Sequence, residues 1–338
     1  MPPIHTATEP LLRVRDLHVS FKLDEGTVRA VDGLSFDVAP GQVVGIVGES
    51  GCGKSVTMKA ILQLIEPPGL ITKGEILYQG RDLIELKPRG ADMRALRGAE
   101  IALIPQEPMA AFSPVHTVGD QIIEAIQLHG KNVSRRDARA QTIELFRDVG
   151  ISMPEQRVDA YSWQLSGGLR QRAMIAMALS CRPRLLIADE PTTAIDVTTQ
   201  AQILALLRNL QEKYGTAIIF ITHDLGVIAQ MADHVVVMYL GRVMEEGQVD
   251  DIFHAPRHPY TKALLRSMPG LHGKTRVALP VIAGTLPHPF NRPKGCPFHP
   301  RCPDAMPDRC ETLIPAPQAF DDGRIVSCFL YHDVAEAV

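Results

Sequence analysis

The stretch Val43-Val44-Gly45-Ile46-Val47-Gly48-Glu49-Ser50-Gly51-Cys52-Gly53-Lys54-Ser55 decides the fold of this chain. Its first five residues form a short apolar run, which predicts a buried strand, and residues 56–64 have the apolar spacing of a helix. Residues 48–55 between them fit the pattern G-x-x-x-x-G-K-[ST]. Glycines allow the backbone to wrap closely around phosphates, so that its N–H groups and the helix N-terminus point at them. The stretch therefore predicts binding of a nucleoside triphosphate with Mg²⁺.

The residues of this loop have separate predicted roles. Lys54 is expected to reach the β- and γ-phosphates, and the Ser55 hydroxyl is expected to bind Mg²⁺. The side chain of Cys52 stands at a variable position and is expected to be a bystander. The alternative is a chance glycine-rich turn, which the order strand, loop, helix argues against. The predicted nucleotide contacts are Gly48, Glu49, Ser50, Gly51, Cys52, Gly53, Lys54, Ser55 and Val56.

A second apolar strand, within residues 184–190, ends in two carboxylates. Asp189 is placed to hold Mg²⁺ through its water shell, and Glu190 is placed to polarise an attacking water as general base. Taken alone, two acids after a strand are typical of a solvated turn. The phosphate loop elsewhere in the chain favours the catalytic interpretation.

Composition excludes several classes of protein. The formal net charge of the 338 residues is −3, so the basic surface that nucleic acids require is not expected. The N-terminus lacks the basic and apolar regions of a signal peptide, and no apolar run approaches the length of a membrane span. We therefore expect a cytosolic chain that reaches a membrane only through partners.

The order of the elements predicts an α/β fold. Alternating patterns over residues 12–14, 17–21 and 34–38 indicate antiparallel strands. Residues 107–182 have helical periodicity and are predicted to form a helical subdomain. The buried strands at 185–188 and 217–221, separated by a helix at 199–214, then imply a mostly parallel sheet. Beyond residue 251 prolines become frequent, and helices and long strands are not expected there.

A further motif makes the prediction specific. Leu165-Ser166-Gly167-Gly168-Leu169-Arg170-Gln171-Arg172 precedes the acidic strand, and Ser166 can cap the helix that follows. The octet and its position resemble the signature sequence of ABC-type ATPases. Four other positions match the same family in the same order: Phe21 as the aromatic that stacks on adenine, Gln106 as the Q-loop, Thr193-Ala194-Ile195-Asp196 as the D-loop and Thr222-His223-Asp224 with the switch histidine. Singly, Gln106 could be a surface residue, His223 a turn residue and Phe21 a core residue.

The resemblance implies a P-loop NTPase fold of the ABC type over residues 1–254, with a mostly parallel sheet, an antiparallel β subdomain and a helical subdomain. In that family two ATPase domains pair head to tail. Ser166, Gly167 and Gly168 would then serve the nucleotide held by the partner. Gln106 would contact Mg²⁺ and the water, His223 the γ-phosphate, and Asp196 would belong to the nucleotide site. The isolated chain should accordingly be a poor ATPase.

Residues 255–338 narrow the resemblance. His258-Pro259-Tyr260-Thr261-Lys262-Ala263-Leu264-Leu265 and Gly295-Cys296-Pro297-Phe298-His299-Pro300-Arg301-Cys302-Pro303 resemble the extension on ATP-binding subunits of oligopeptide, dipeptide and nickel importers. Glu107-Pro108-Met109 with Ser113-Pro114 is similar to the same group. This implies a peptide-importer motor at the cytoplasmic face of the membrane, with a non-identical second ATPase, two permeases and an extracytoplasmic solute-binding protein. A nickel or other small-solute importer and a non-transport ABC ATPase are the alternatives.

Four of the six cysteines, Cys296, Cys302, Cys310 and Cys328, lie in this C-terminal part. In a reducing cytosol such a cluster favours metal binding over disulfides. The close C-x₂-C pairs of zinc ribbons are absent, and four thiolates can also hold a [4Fe–4S] cluster. Resemblance to the importer group favours the iron–sulfur cluster over zinc. Four buried free cysteines are the remaining alternative.

Overall fold

A computed structural model of the chain describes residues 9–107, 111–192, 196–268 and 282–332. Its strands are β1 (Leu12–Leu23), β2 (Gly26–Val38), β3 (Val43–Val47), β4 (Gly69–Tyr78), β5 (Arg81–Asp82), β6 (Ile101–Ile104), β7 (Leu185–Asp189), β8 (Ala217–Ile221), β9 (His234–Tyr239), β10 (Arg242–Gln248), β11 (Gln318–Ala319) and β12 (Ile325–Val326). Its α-helices are Lys54–Ile61, Ala91–Leu96, Val118–His129, Arg135–Asp148, Pro154–Arg157, Gly167–Leu179, Val197–Tyr214, Leu225–Met231, Val249–His254, Pro259–Arg266 and Arg309–Thr312.

These elements form two compact units. One consists of Met1–Leu11, Val38–Val43 and Glu85–Ile221, and the other of Leu12–Asp37, Val44–Ile84 and Thr222–Val338. These two units are not the two domains predicted from the sequence, residues 1–254 and 255–338. The predicted domain boundary stays a prediction.

The unit that contains Glu85–Ile221 is built on three parallel strands. β6 pairs with β7, and β7 pairs with β8, in parallel register. The residues of β8 are all buried, as are those of β7 up to Asp189, which explains their unbroken apolar sequences. Three of the longer helices of this unit begin at polar caps, since the side chains of Thr117, Ser134 and Asp196 each accept a backbone N–H from the first turn. The predicted helix at 199–214 is confirmed: it begins two residues earlier, at Val197, and ends at Tyr214.

The other unit contains an antiparallel sheet in the order β2-β1-β4-β5. The sequence predicts two separate strands at 12–14 and 17–21, but the structure has one strand, β1. The register with β4 shifts between Arg15 and His18, where Asp16 takes a positive φ of 43°. This bulge interrupts the alternation of buried and exposed residues, which is why the pattern indicated two strands.

The same unit carries the phosphate loop and the C-terminal residues. β3 is parallel to β9, and β10 is antiparallel to both β9 and the short β12 of the C-terminal part. The structure has a helix, Pro259–Arg266, in the proline-rich part of the chain where the sequence predicted none. It forms because Pro259 occupies the first turn, where proline is tolerated, and the His258 ring accepts the N–H of Tyr260 at 3.0 Å. Among the described residues no helix is long and apolar enough to cross a membrane.

Candidate nucleotide site

The phosphate loop leaves β3 with a conformation that only glycine permits at two positions. Gly48 has a φ of 154°, and a Cβ there would lie 2.2 Å from the carbonyl oxygen of Met238. Gly53 has a φ of 102°, and a Cβ there would lie 2.3 Å from the carbonyl oxygen of Ala30. Glycines at these positions therefore allow the loop to lie directly against neighbouring backbone.

Lys54 is held on the inner side of this loop. Its side chain is buried, and its Nζ donates to the carbonyl oxygens of Gly48 at 2.7 Å and Glu49 at 3.2 Å. The helix Lys54–Ile61 begins here, and its N-cap, Gly53, has no side chain to occupy the free N–H groups of the first turn. A buried ammonium beside an uncapped helix N-terminus is an arrangement that binds phosphate. Ser55 and Val56 follow in this first turn and are partly exposed.

Cys52 and Phe21 differ in what they can offer a nucleotide. The Cys52 side chain is fully buried, and burial raises the pKa of its thiol, so only its backbone belongs to the loop surface. Phe21 lies near the end of β1, opposite Gly69 in β4, and is partly exposed. A Cβ on Gly69 would lie 2.6 Å from the Phe21 ring, so glycine leaves room for the ring at this place.

In the other unit, β7 brings two acids to its carboxyl end. Asp189 is the last residue of the strand, and Glu190 follows it. The Nε2 of Gln106 donates to Oε2 of Glu190 at 2.9 Å. Glu190 has a φ of 47°, in the left-handed region that non-glycine residues rarely adopt, and its N–H donates to the carbonyl of Ile221 at 2.9 Å. Backbone strain of this kind is typical of functional positions.

The signature residues lie at the start of the helix Gly167–Leu179. Ser166 caps this helix as predicted, since its Oγ accepts the N–H of Leu169 at 3.4 Å. Ser166 and Gly167 are exposed and Gly168 is partly exposed, whereas Gln171 on the next turn is buried and donates to the carbonyl of Pro191. The signature helix is thus tied to the chain just after Glu190 while its first residues face outward.

Trp163 also lies exposed, three residues before Ser166. Its side chain is 63% exposed and its ring stacks on Tyr161 with a centroid separation of 5.7 Å.

Two predicted motifs are described in part. Of the D-loop, Thr193, Ala194 and Ile195 lie outside the described residues, as do Pro108 and Met109 after Gln106. Asp196 is exposed, and its carboxylate accepts the N–H and hydroxyl of Thr199, which lowers the pKa of Asp196. In the structure it acts as a helix cap, and its nucleotide role stays a prediction.

His223 is exposed on a tight turn that follows β8. The turn is fixed by its two neighbours, because the Thr222 hydroxyl accepts the N–H of Asp224 at 3.0 Å. The Asp224 carboxylate in turn caps the helix Leu225–Met231 through the N–H groups of Gly226 and Val227. The backbone on either side of His223 is therefore fixed.

The prediction of an iron–sulfur cluster, with zinc as its alternative, is wrong. Among the described residues, which include all four C-terminal cysteines, no group of three or more His, Cys, Asp or Glu side chains is arranged to hold a metal ion. The four cysteines line one small cavity with apolar neighbours such as Phe298 and Phe329. Burial among these neighbours raises the pKa of Cys302 to about 11 and that of Cys328 to about 12. The four residues, Cys296, Cys302, Cys310 and Cys328, are free cysteines.

The sequence interpretation also missed two residues at the phosphate loop. Tyr260 accepts a hydrogen bond from the N–H of Glu49, and Arg301 forms an ion pair with the Glu49 carboxylate. Both lie in the stretches that resemble the importer extension. No local pattern links them to Glu49, which occupies a variable position of the loop motif.

The fold and these sites define an ATP-binding cassette, and comparison with known proteins agrees. The family model for ABC transporters matches residues 31–193, and the model for the C-terminal region of oligopeptide/dipeptide transporters matches residues 244–310. The chain belongs to the ABC transporter family.

Its relatives within this family include peptide transport proteins. The chain is 49% identical to the dipeptide transport ATP-binding protein DppD of Bacillus subtilis, over 97% of each chain. It is 50% identical to DppD of Escherichia coli, over 94% of this chain and 96% of the other. Among solved structures, the dimeric ATP-binding cassette MJ0796 bound to ADP and Pi matches with a TM-score of 0.63 and 25% identity, over 70% of this chain and 98% of that one. The predicted resemblance and the ABC-type α/β fold are confirmed.

Proposed function

We propose that this chain is the ATP-hydrolysing motor subunit of an ABC importer of dipeptides or oligopeptides. The peptide assignment is supported by relatives described as dipeptide and oligopeptide transport ATP-binding proteins, and by the matching C-terminal region. The ATPase assignment rests on one observation above all. Glu190 follows a buried strand with a strained, left-handed backbone, and the amide of Gln106 orients its carboxylate.

The resemblance to ABC-type ATPases suggests a role for each residue. Lys54 and the N–H groups of the loop bind the phosphates, and Phe21 stacks on the base. Glu190 accepts the proton of the attacking water, while His223 contacts the γ-phosphate. Ser55, Gln106 and Asp189 offer the hydroxyl, amide and carboxylate oxygens that Mg²⁺ prefers, so these residues fit that ion. When bound, Mg²⁺ neutralises phosphate charge.

The exposed signature suggests that a second ATPase is needed for turnover. We infer that Ser166, Gly167 and Gly168 contact a nucleotide bound by the partner, and that Asp196 lies at the same interface. An uncovered signature leaves the isolated chain able to bind ATP but slow to hydrolyse it. The partner subunits are a second ATPase, not identical to this one, two permeases that place the pair at the cytoplasmic face of the membrane, and an extracytoplasmic solute-binding protein.

Transport assays on the assembled complex test this function. ATP-dependent uptake of a labelled dipeptide is expected in vesicles containing the complex, and the Lys54→Ala variant is expected to abolish it. If the vesicles took up Ni²⁺ and not dipeptides, the chain would be the motor subunit of a nickel importer. Tight ATP binding without uptake of either, in vesicles whose permeases are present, would contradict the importer role.

A further inference from the structure

The second residue of the phosphate loop is held from the C-terminal part of the chain. The guanidinium of Arg301 meets the Glu49 carboxylate in a fork, with Nη1 2.6 Å from Oε2 and Nη2 3.1 Å from Oε1. The Arg301 side chain is 4% exposed and the Glu49 side chain 27% exposed. This ion pair has two hydrogen bonds and is largely removed from water. It therefore fixes the position of the Glu49 side chain better than an exposed ion pair would.

The backbone of Glu49 is held at the same time. Its N–H donates to the hydroxyl oxygen of Tyr260 at 3.0 Å. Burial raises the pKa of Tyr260, so the phenol stays protonated. One loop residue is therefore fixed through both its side chain and its backbone, by two residues that lie more than 200 positions further along the chain.

The two anchoring residues are themselves fixed. Tyr260 packs against Tyr239 and Phe298, with ring centroids 4.7 Å and 5.2 Å away. Arg301 donates from Nε to the carbonyl of Ala283 at 3.0 Å and from Nη1 to the Tyr239 hydroxyl at 3.3 Å. All three aromatic side chains are fully buried. The anchors thus belong to packed structure and hold defined positions relative to Glu49.

The same loop segment positions the phosphate-binding lysine. Nζ of Lys54 donates to the carbonyl oxygens of Gly48 and of Glu49 itself. A shift of Glu49 therefore displaces the acceptors that orient the ammonium. We propose that Arg301 and Tyr260 are positioning residues for nucleotide binding, acting through Glu49 on the phosphate loop. This inference rests on the proposed role of the loop as the triphosphate site.

A purely structural role for these contacts makes a different prediction. An ion pair that only fastens the C-terminal part would lower stability when removed and would leave the affinity for nucleotide unchanged. A positioning role lowers the affinity of chains that remain folded, and in the assembled transporter it raises KM for ATP more than it lowers kcat.

The test uses binding of a fluorescent ATP analogue, mant-ATP, to the full-length chain, with thermal unfolding measured on each variant. Tyr260→Phe removes one hydroxyl and keeps the ring packing, so about a fivefold rise in Kd is expected from a single lost hydrogen bond. Arg301→Ala is expected to raise Kd about tenfold, and Arg301→Lys, which keeps the charge but not the fork, by an intermediate factor.

Arg257 offers a matched control. It belongs to the same C-terminal part and makes a two-contact ion pair to Asp322, at 3.3 Å and 2.9 Å, but it has no contact to the loop among those described. Arg257→Ala is expected to leave Kd within twofold of the wild type. The effects of Glu49→Gln and Arg301→Ala are expected to be non-additive in the double variant.

The outcomes separate the two proposals. If the wild type fails to bind mant-ATP, or if Lys54→Ala binds it as well as the wild type does, the proposed nucleotide site is wrong. If the wild type binds and Lys54→Ala does not, yet folded Tyr260→Phe and Arg301→Lys match the wild-type Kd, the positioning role is wrong. Should Arg301→Ala not fold, Tyr260→Phe and Arg301→Lys still decide the question.

Discussion

Gln106 and Glu190 are joined by a hydrogen bond of 2.9 Å from the amide Nε2 to the carboxylate Oε2. Gln106 follows β6 and Glu190 follows β7, two adjacent parallel strands, so the sheet itself brings their ends together. The left-handed backbone at Glu190 costs roughly 1–2 kcal/mol and is held by the bond from its N–H to Ile221. The position of the Glu190 carboxylate is therefore fixed both by its own backbone and by the amide of Gln106.

The first prediction concerns this carboxylate. Glu190→Gln keeps the size of the side chain but removes its ability to accept a proton. In the assembled transporter we expect phosphate release to fall at least about 100-fold while ATP binding is retained. Glu144→Gln, an exposed acid of the same unit, serves as the control and should hydrolyse ATP normally. If the Glu190→Gln variant hydrolysed ATP at nearly the wild-type rate, Glu190 would not be the general base.

A second prediction uses the two helix caps Ser166 and Ser134, whose hydroxyls each accept a first-turn N–H. Ser166→Ala and Ser134→Ala should each lower the free energy of unfolding by about 1 kcal/mol. Only Ser166→Ala should also reduce turnover of the assembled ATPase pair, by at least about tenfold if its hydroxyl contacts the partner's nucleotide. Equal turnover of the two variants would show that Ser166 is a helix cap and nothing more.

The third prediction compares glycines of the loop. Gly48→Ala places a methyl group 2.2 Å from the Met238 carbonyl, whereas Gly51, with a φ of 79°, has no atom within 4 Å of a built Cβ. We expect Gly48→Ala to lower the free energy of unfolding by about 3 kcal/mol and Gly51→Ala by about 1 kcal/mol, in urea titrations. A Gly48 variant as stable as the Gly51 variant would mean that the loop moves away from Met238 without cost.

A fourth prediction concerns pH. Burial, reinforced by the Asp37 carboxylate, raises the pKa of Glu246 to about 7 from an ordinary value of 4.5. The folded state therefore holds this proton more tightly than the unfolded state does. Stability from this group is full below pH 4.5 and is lost as pH rises through about 7. Glu246→Gln should thus be more stable than the wild type at pH 8, by about 1–3 kcal/mol, and should lose this advantage at pH 4.5.

The control for the pH prediction is Glu75→Gln, an exposed carboxylate on β4. Its difference from the wild type in free energy of unfolding should not change with pH. Parallel stability profiles for the wild type and Glu246→Gln between pH 4.5 and 8 would contradict the burial argument.

The sequence predicted what is local and missed what is distant. The order strand, loop, helix around Lys54 depends on residues that are close together in the sequence, and so does the helix cap at Ser166. Motifs and apolar periodicity were therefore sufficient to predict both. The contacts of Glu49 with Tyr260 and Arg301 depend on how remote segments pack, and no spacing rule relates them. The helix Pro259–Arg266 was missed because prolines were counted without regard to their position in a first turn.

The cysteines were misjudged for a related reason. The spacing shows that four cysteines lie in one part of the sequence. It does not show whether their side chains are arranged to hold a metal ion. In the structure the four cysteines line one small cavity, and the described residues form no group arranged to hold a metal ion. By contrast, the phosphate loop, the acidic strand, the signature and the four further matches stand in a fixed order, and together they were enough to identify the family.

Trp163 is an optical reporter beside the signature, the surface that we propose to face a second ATPase. It is the single tryptophan among the 338 residues, it is 63% exposed, and it lies three residues before Ser166. Its emission should shift to shorter wavelength when a second ATPase covers the signature and excludes water from the indole ring. Pairing of the two ATPases could then be followed in real time, without a label, from the intrinsic fluorescence of this chain mixed with a tryptophan-free partner.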